Sequence, residues 1–173
     1  YPHVLLFSET IGAIAREYQD RKKKLGVMDF DDLLVNWRRL LLEHPDILHA
    51  YAERFLHVLV DEYQDTNLLQ GEITDLLAGH HRNLMVVGDD SQSIYSFRGA
   101  NYANILSFPD RYPDCRIFRL ETNYRSTPEI LHMANLTIQK NPRQFPKTLR
   151  AVREQGIRPA LVSARNVAQQ ADF

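Results

Sequence analysis

Cysteine is nearly absent: Cys115 is the only one in 173 residues. That excludes an internal disulfide and a thiolate metal cluster, and it suits a reducing, cytoplasmic compartment. No stretch approaches the roughly 20 apolar residues of a membrane span, and no secretory signal opens the chain. Neither sign of charge dominates. With 21 Lys and Arg against 22 Asp and Glu, any affinity for a polyanion must rest on local patches. There is no internal repeat and no low-complexity segment. None of the seven glycines starts a Gly-x-x-x-x-Gly-Lys-[Ser/Thr] loop, and Lys147-Thr148 lacks the glycines that should precede it. The cradle that such a loop offers to phosphates is therefore missing. The chain begins with Tyr1, and its first residues read like mid-domain sequence, so a piece of a longer protein is expected.

What is present centres on two short apolar runs. Residues 56–60 (Leu-His-Val-Leu-Val) end abruptly in Asp61-Glu62-Tyr63-Gln64-Asp65-Thr66. Residues 84–87 (Leu-Met-Val-Val) lead through Gly88 into Asp89-Asp90-Ser91-Gln92-Ser93-Ile94-Tyr95-Ser96-Phe97-Arg98-Gly99-Ala100. Short apolar runs bounded by Gly and Asp suit strands buried on both faces of a parallel sheet. Ligands bind such sheets beyond the carboxyl ends of the strands, where Asp61, Glu62, Asp89, Asp90 and Gln92 stand. A carboxylate there can hold Mg²⁺ against nucleotide phosphates, and a neighbouring one can orient or deprotonate a water. The bland alternative is helix capping by Asp65, Thr66 or Asn67, ahead of a helix near Leu68. The two readings use different residues.

These two blocks, followed by Leu120-Glu121-Thr122-Asn123-Tyr124-Arg125-Ser126 and preceded by Met28-Asp29-Phe30-Asp31-Asp32-Leu33-Leu34, resemble the UvrD/Rep/PcrA family of superfamily 1 DNA helicases. The order matches, and the likeness covers nearly the whole chain. The resemblance implies an α/β fold: a fragment of a RecA-like P-loop NTPase, with parallel strands, flanking helices and parts of two RecA-like domains. Residues 1–27 would end an inserted helical subdomain. Residues 28–110 would belong to the first RecA-like domain and 111–173 to the second.

By the same resemblance the cofactors are ATP and Mg²⁺. Asp61 matches the Mg²⁺ carboxylate, Glu62 the water-activating base and Gln92 the γ-phosphate sensor. Arg125 matches the arginine finger, and Tyr124 the ring that packs on adenine. Without the resemblance, Tyr124 reads more simply as a capped core aromatic. Tyr95 and Phe97 are candidates for a platform that stacks unpaired bases, with Arg98 beside them for a phosphate or an acid. Many family members carry tryptophan where Phe97 stands. The implied partners are single-stranded DNA, single-strand/duplex junctions and the rest of the helicase polypeptide, with no membrane. The implied activity is that of an ATP-dependent 3′-to-5′ DNA helicase of which this chain is the central, catalytically incomplete section.

The periodicity fills in the rest. A helix runs to Gly26, with Ser8 or Thr10 as N-cap and the basic run Arg21 to Lys24 as a solvated end, or alternatively a DNA contact. Asp29 caps a second helix to about Leu42, whose stripe of Phe30, Leu33, Leu34, Trp37 and Leu41 reads as core. Pro45 starts a third helix, through Arg54. A fourth spans roughly 67–78, and a right-handed crossover joins the two parallel strands. His80-His81 is left as surface. A short helical pattern resumes near Tyr102. Strands are expected at 116–120 and 160–162, a helix from Thr127-Pro128, and a basic loop at 140–158.

Two other functional classes fit parts of this pattern. A free-standing metal-dependent phosphohydrolase built on Asp61, Glu62, Asp65, Asp89 and Asp90 would leave Asn123-Tyr124-Arg125 without a role. A non-catalytic DNA or protein interaction module with a degenerate ATPase fold would leave Glu62, Gln92 and Arg125 unexplained. The sequence also does not separate a plain helicase from the helicase part of a helicase–nuclease.

Overall fold

The structure is a computed structural model that describes residues 6–94, 101 and 103–171. Its contacts divide the chain into two compact units. The first runs to Gly88 and includes 94–104; the second comprises Asp89–Ser93 and the chain from Ile105 onward.

The first unit is built by strong local signals. Helix α1 (Ser8–Leu25) stops at Gly26, whose φ of 64° is left-handed and whose N–H bonds back to the last turn; only glycine adopts that conformation cheaply. Ser8 and Thr10 lie inside the helix, and Phe7 holds the N-cap position without a side-chain bond. Asp29 does cap α2 (Phe30–Glu43), in a reciprocal box with Asp32. Pro45 opens α3 (Pro45–Arg54), where its missing N–H costs nothing. Asn67 caps α4 (Leu68–Ala78), boxed with Gln70.

The unit also contains two parallel strands, β1 (Val58–Val60) and β2 (Leu84–Val86), paired Val58 to Leu84 through Val60 to Val86 and joined through α4. The pairing continues past the strands: Val87 N–H donates to Val60 O (2.8 Å), and Tyr63 N–H donates to Val87 O (2.9 Å). Helices α2, α3 and α4 pack on one another, and α4 packs on β1. The core comprises Leu41, Ala52, Tyr63, Ile73 and Ala78.

Further sequence expectations are corrected in this unit. The strands are not buried on both faces, because Leu59 and Met85 are exposed. The α2 stripe is not a continuous core either. Only Leu41 is fully buried; Leu34 is half-buried, while Phe30, Leu33 and Trp37 are exposed. Finally, the basic run is not simply solvated. Lys22 is buried, with its ammonium 2.6 Å from both Asp29 and Asp32 and over the Tyr18 ring. Lys22 holds both carboxyls below their usual range, Asp29 well below. His81 is structural rather than idle: its Nδ1 accepts from Asn83 N–H, and its Nε2 lies 2.8 Å from Phe55 O, fastening the entrances of both strands.

The second unit is sparser. It contains the single turn α6 (Phe108–Arg111), which follows the short α5 (Ala103–Leu106), then β3 (Thr122–Asn123), α7 (Pro128–Ile138), β4 (Arg150–Ala151) and α8 (Val167–Ala171). Strands β3 and β4 are parallel, with Thr122 opposite Arg150. The strands expected at 116–120 and 160–162 do not form. Phe118, Leu120 and Leu161 are exposed, and the ladder bonds are made instead at 122–123 and, inside the expected basic loop, at 150–151. Apolar composition alone did not choose the paired residues. Gly156 comes so close to Thr127 that a Cβ would lie 2.8 Å from Thr127 Cγ2, and its N–H donates to Glu129 at the start of α7.

Candidate functional site: two acidic turns and an arginine turn

The turn after β1 is rigid at its base and open at its tip. Tyr63 is fully buried beneath α4, with its hydroxyl beside Gly71. Asn104 donates to the backbone oxygens of Thr66 and Asn67 (both 3.1 Å), and Asn101 N–H also donates to Thr66 O, so this turn is tied from behind. Held in this way, Glu62 adopts a left-handed conformation (φ 50°, ψ 40°). For a non-glycine residue that stores strain on the order of 1–3 kcal/mol, the kind of strain that clusters at functional sites.

Both carboxylates, Asp61 and Glu62, face solvent. Asp61 Oδ1 accepts from the Glu62 N–H (2.9 Å). Glu62 Oε2 accepts from Gln64 Nε2 (2.7 Å), and the Gln64 side chain is 99% buried, being 1% exposed. Gln64 thus orients Glu62 through a bond that water cannot easily replace. Sequence reasoning missed this residue, although a glutamine within an acidic turn was the available signal. Asp61 commits one oxygen to the backbone, and the other suits a cation. One carboxylate is what Mg²⁺ needs from a protein when phosphates and water complete its octahedron. Among the described residues no three His, Cys, Asp or Glu gather to hold a metal.

The turn after β2 is built differently. Asp89 Oδ1 accepts from Ser91 N–H and from the Lys147 ammonium, while Oδ2 accepts from Gln92 Nε2 (2.9 Å). Burial alone would raise the Asp89 carboxyl, but Lys147 and the Gln92 amide outweigh it and hold it below the usual range. Gln92 itself is exposed. Tyr95, Phe97 and Arg98 lie outside the described residues.

In the second unit, Asn123 Oδ1 accepts from the N–H groups of Arg125 (2.9 Å) and Ser126 (2.7 Å), bending the chain directly after β3. The bend leaves Tyr124 75% exposed, so it is not a core aromatic, and it presents Arg125 to solvent as well.

The profile of the UvrD/REP helicase N-terminal domain matches residues 5–113, well over half of the chain. This chain belongs to the UvrD/REP helicase family. It is 42% identical over 167 residues to the ATP-dependent DNA helicase PcrA of Leuconostoc citreum, covering 96% of this chain and 22% of that protein. It is 43% identical over 137 residues to the putative ATP-dependent DNA helicase YjcD of Bacillus subtilis, covering 79% of this chain and 18% of YjcD. PcrA of Bacillus subtilis is 38% identical over 167 residues, covering 96% of this chain and 23% of PcrA. The chain thus spans between 18% and 23% of these relatives. No helix among the described residues is long and apolar enough to cross a membrane.

Proposed function

We propose that this chain is the central section of a cytoplasmic ATP-dependent DNA helicase that moves 3′-to-5′ along single-stranded DNA and opens duplex at junctions. On this reading residues 28–110 belong to one RecA-like domain and 111–173 to a second, with 1–27 ending an inserted helical subdomain. The observation that carries it is the turn after β1. There a strained Glu62, oriented by a buried Gln64, stands beside an open Asp61 in a chain of the UvrD/REP helicase family.

Phosphoryl transfer needs positioning and charge stabilisation more than covalent chemistry. Asp61 would hold Mg²⁺, which when bound neutralises phosphate charge. Glu62 orients the attacking water and takes its proton. Gln92, with one amide hydrogen committed to Asp89, keeps its oxygen and second hydrogen for water and γ-phosphate. The Arg125 guanidinium neutralises charge as it develops on the transferred group. The exposed Tyr124 ring offers a face to adenine, and Tyr95, Phe97 and Arg98 would grip unpaired DNA.

Strand displacement by the full-length protein tests this reading. We expect ATP-dependent unwinding of a duplex with a 3′ single-stranded tail and little of one with a 5′ tail. Equal unwinding of both would remove the direction, and no DNA-stimulated hydrolysis would remove the activity. The 173-residue chain alone, without a phosphate-cradling loop, is expected to hydrolyse essentially no ATP. Robust hydrolysis by it would favour the phosphohydrolase instead.

A further inference from the structure

Resting on the reading of Gln92 and Arg125 as phosphate-facing residues, one segment of the second unit connects them. It is the extended stretch 147–153, which sequence alone marks only as basic loop. At its start Lys147, whose side chain is only 16% exposed, pairs with Asp89 and lies 3.8 Å from Asp90 Oδ1. Asp90 is 96% buried, at 4% side-chain exposure, and its Oδ2 has no hydrogen-bond partner. Two adjacent carboxylates thus face one ammonium, and Asp89 passes the restraint on to the Gln92 amide.

The middle of the segment is locked in place. Thr148 N–H donates to Glu121 Oε1 (2.8 Å), Asn135 bonds both the N–H and the C=O of Leu149, and Val152 N–H donates to Asn123 O (3.0 Å). At its far end Arg153 Nη1 donates to the carbonyl of Arg125 (2.9 Å).

We propose that Lys147 is a positioning residue for ATP hydrolysis, acting on Gln92 through Asp89. The 147–153 strap sets the glutamine turn and the arginine turn from a single element. Removing the ammonium leaves two like charges side by side, one of them deeply buried, and such a pair relieves itself by taking up a proton or by opening, either of which releases Asp89 from its fixed place. The Gln92 amide then loses its fixed orientation while its own chemistry stays intact.

The test is a double-mutant cycle on single-strand-stimulated ATP hydrolysis by the full-length protein. Lys147→Ala is expected to lower kcat about tenfold or more with a much smaller change in KM for ATP, since misplacing a positioned group by about 1 Å can cost 10²-fold. Lys147→Arg should recover most of the loss. In a Gln92→Ala background, Lys147→Ala should lower kcat no further. Should the two losses multiply, Lys147 acts independently of Gln92 and the proposal is overturned. If Gln92→Ala alone leaves kcat within about twofold, the phosphate-sensing reading itself fails. Where Lys147→Ala does not fold, Asp89→Asn supplies the same cycle: it keeps the side-chain shape and removes the charge that Lys147 and Gln92 share.

Discussion

Two turns follow two neighbouring parallel strands, both begin in acid, and they have opposite electrostatic designs. After β1, Asp61 and Glu62 face solvent without a cationic partner among the described residues, and their orientation comes from a neutral amide and the backbone. After β2, Asp89 and Asp90 are drawn inward against Lys147, and the exposed residue is the neutral Gln92. An unneutralised carboxylate at a strand end suits a site that receives its positive charge from a bound cation. A neutralised one suits a site whose purpose is to hold an amide still. Equivalent positions in sequence thus produce one turn with the electrostatics of a ligand site and one with those of a mount.

The largest expected effect lies at the third turn, to which the mount is linked. Arg125→Ala in the full-length protein should lower kcat by about 10³-fold or more, within the range of arginine fingers. Arg125→Lys should recover little, because an ammonium lacks the planar fork. Affinity for single-stranded DNA without nucleotide should stay unchanged. A kcat within a few-fold of wild type would show that Arg125 is not the finger.

Next comes the open turn. Glu62→Gln keeps the size and the contact with Gln64 but removes the proposed base, so kcat should fall by about 10²–10⁴-fold while ATP still binds. Loss of ATP binding with an intact rate at saturation would instead make Glu62 a binding residue and blur the contrast between the turns.

Acid sharpens the contrast. The Asp89 pKa is depressed on folding, so its contribution to stability is complete above the unfolded value of about 4 and is lost as pH falls through the folded value. The gap in unfolding temperature between wild type and Lys147→Met should therefore narrow below about pH 4. A gap that persists there would mean that Lys147 stabilises by packing rather than by charge. The Lys22 cluster obeys the same sign, since Asp29 and Asp32 are also depressed. It should add to the acid loss in both proteins and cancel in their difference.

The smallest effect serves as a control. Asn67→Ala removes the cap of α4 just behind the open turn and should cost about 1 kcal/mol of stability, read from a denaturant midpoint. It should leave kcat unchanged. A large drop in kcat would mean that the turn is positioned through the helix cap rather than through Gln64.

Much of this was legible in the chain itself. Asp29 and Pro45 at helix starts, Gly26 at a helix end and the Val58–Val60 and Leu84–Val86 strands were all announced by local chemistry, because caps and short apolar runs act within a few residues. The acidic turns and the Asn123-Tyr124-Arg125 bend were visible as motifs for the same reason. The strands of the second unit were not. Residues 116–120 are as apolar as many strands, yet pairing went to 122–123 and 150–151, where Glu121, Asn123 and Asn135 supply partners from far along the chain.

The family, the helices and strands of the first unit and the residues on each turn follow from residue identity and from neighbours a few positions away. Which charges are neutralised depends on how distant segments meet. That Lys22 meets Asp29 and Asp32, that Gln64 is buried against Glu62, and that Lys147 crosses 58 residues to reach Asp89 are results of packing. A lysine in a basic loop carries no local mark of the carboxylate it will meet. Its partner is set by where the chain returns, and the strength of the pairing by how much water is excluded when it does.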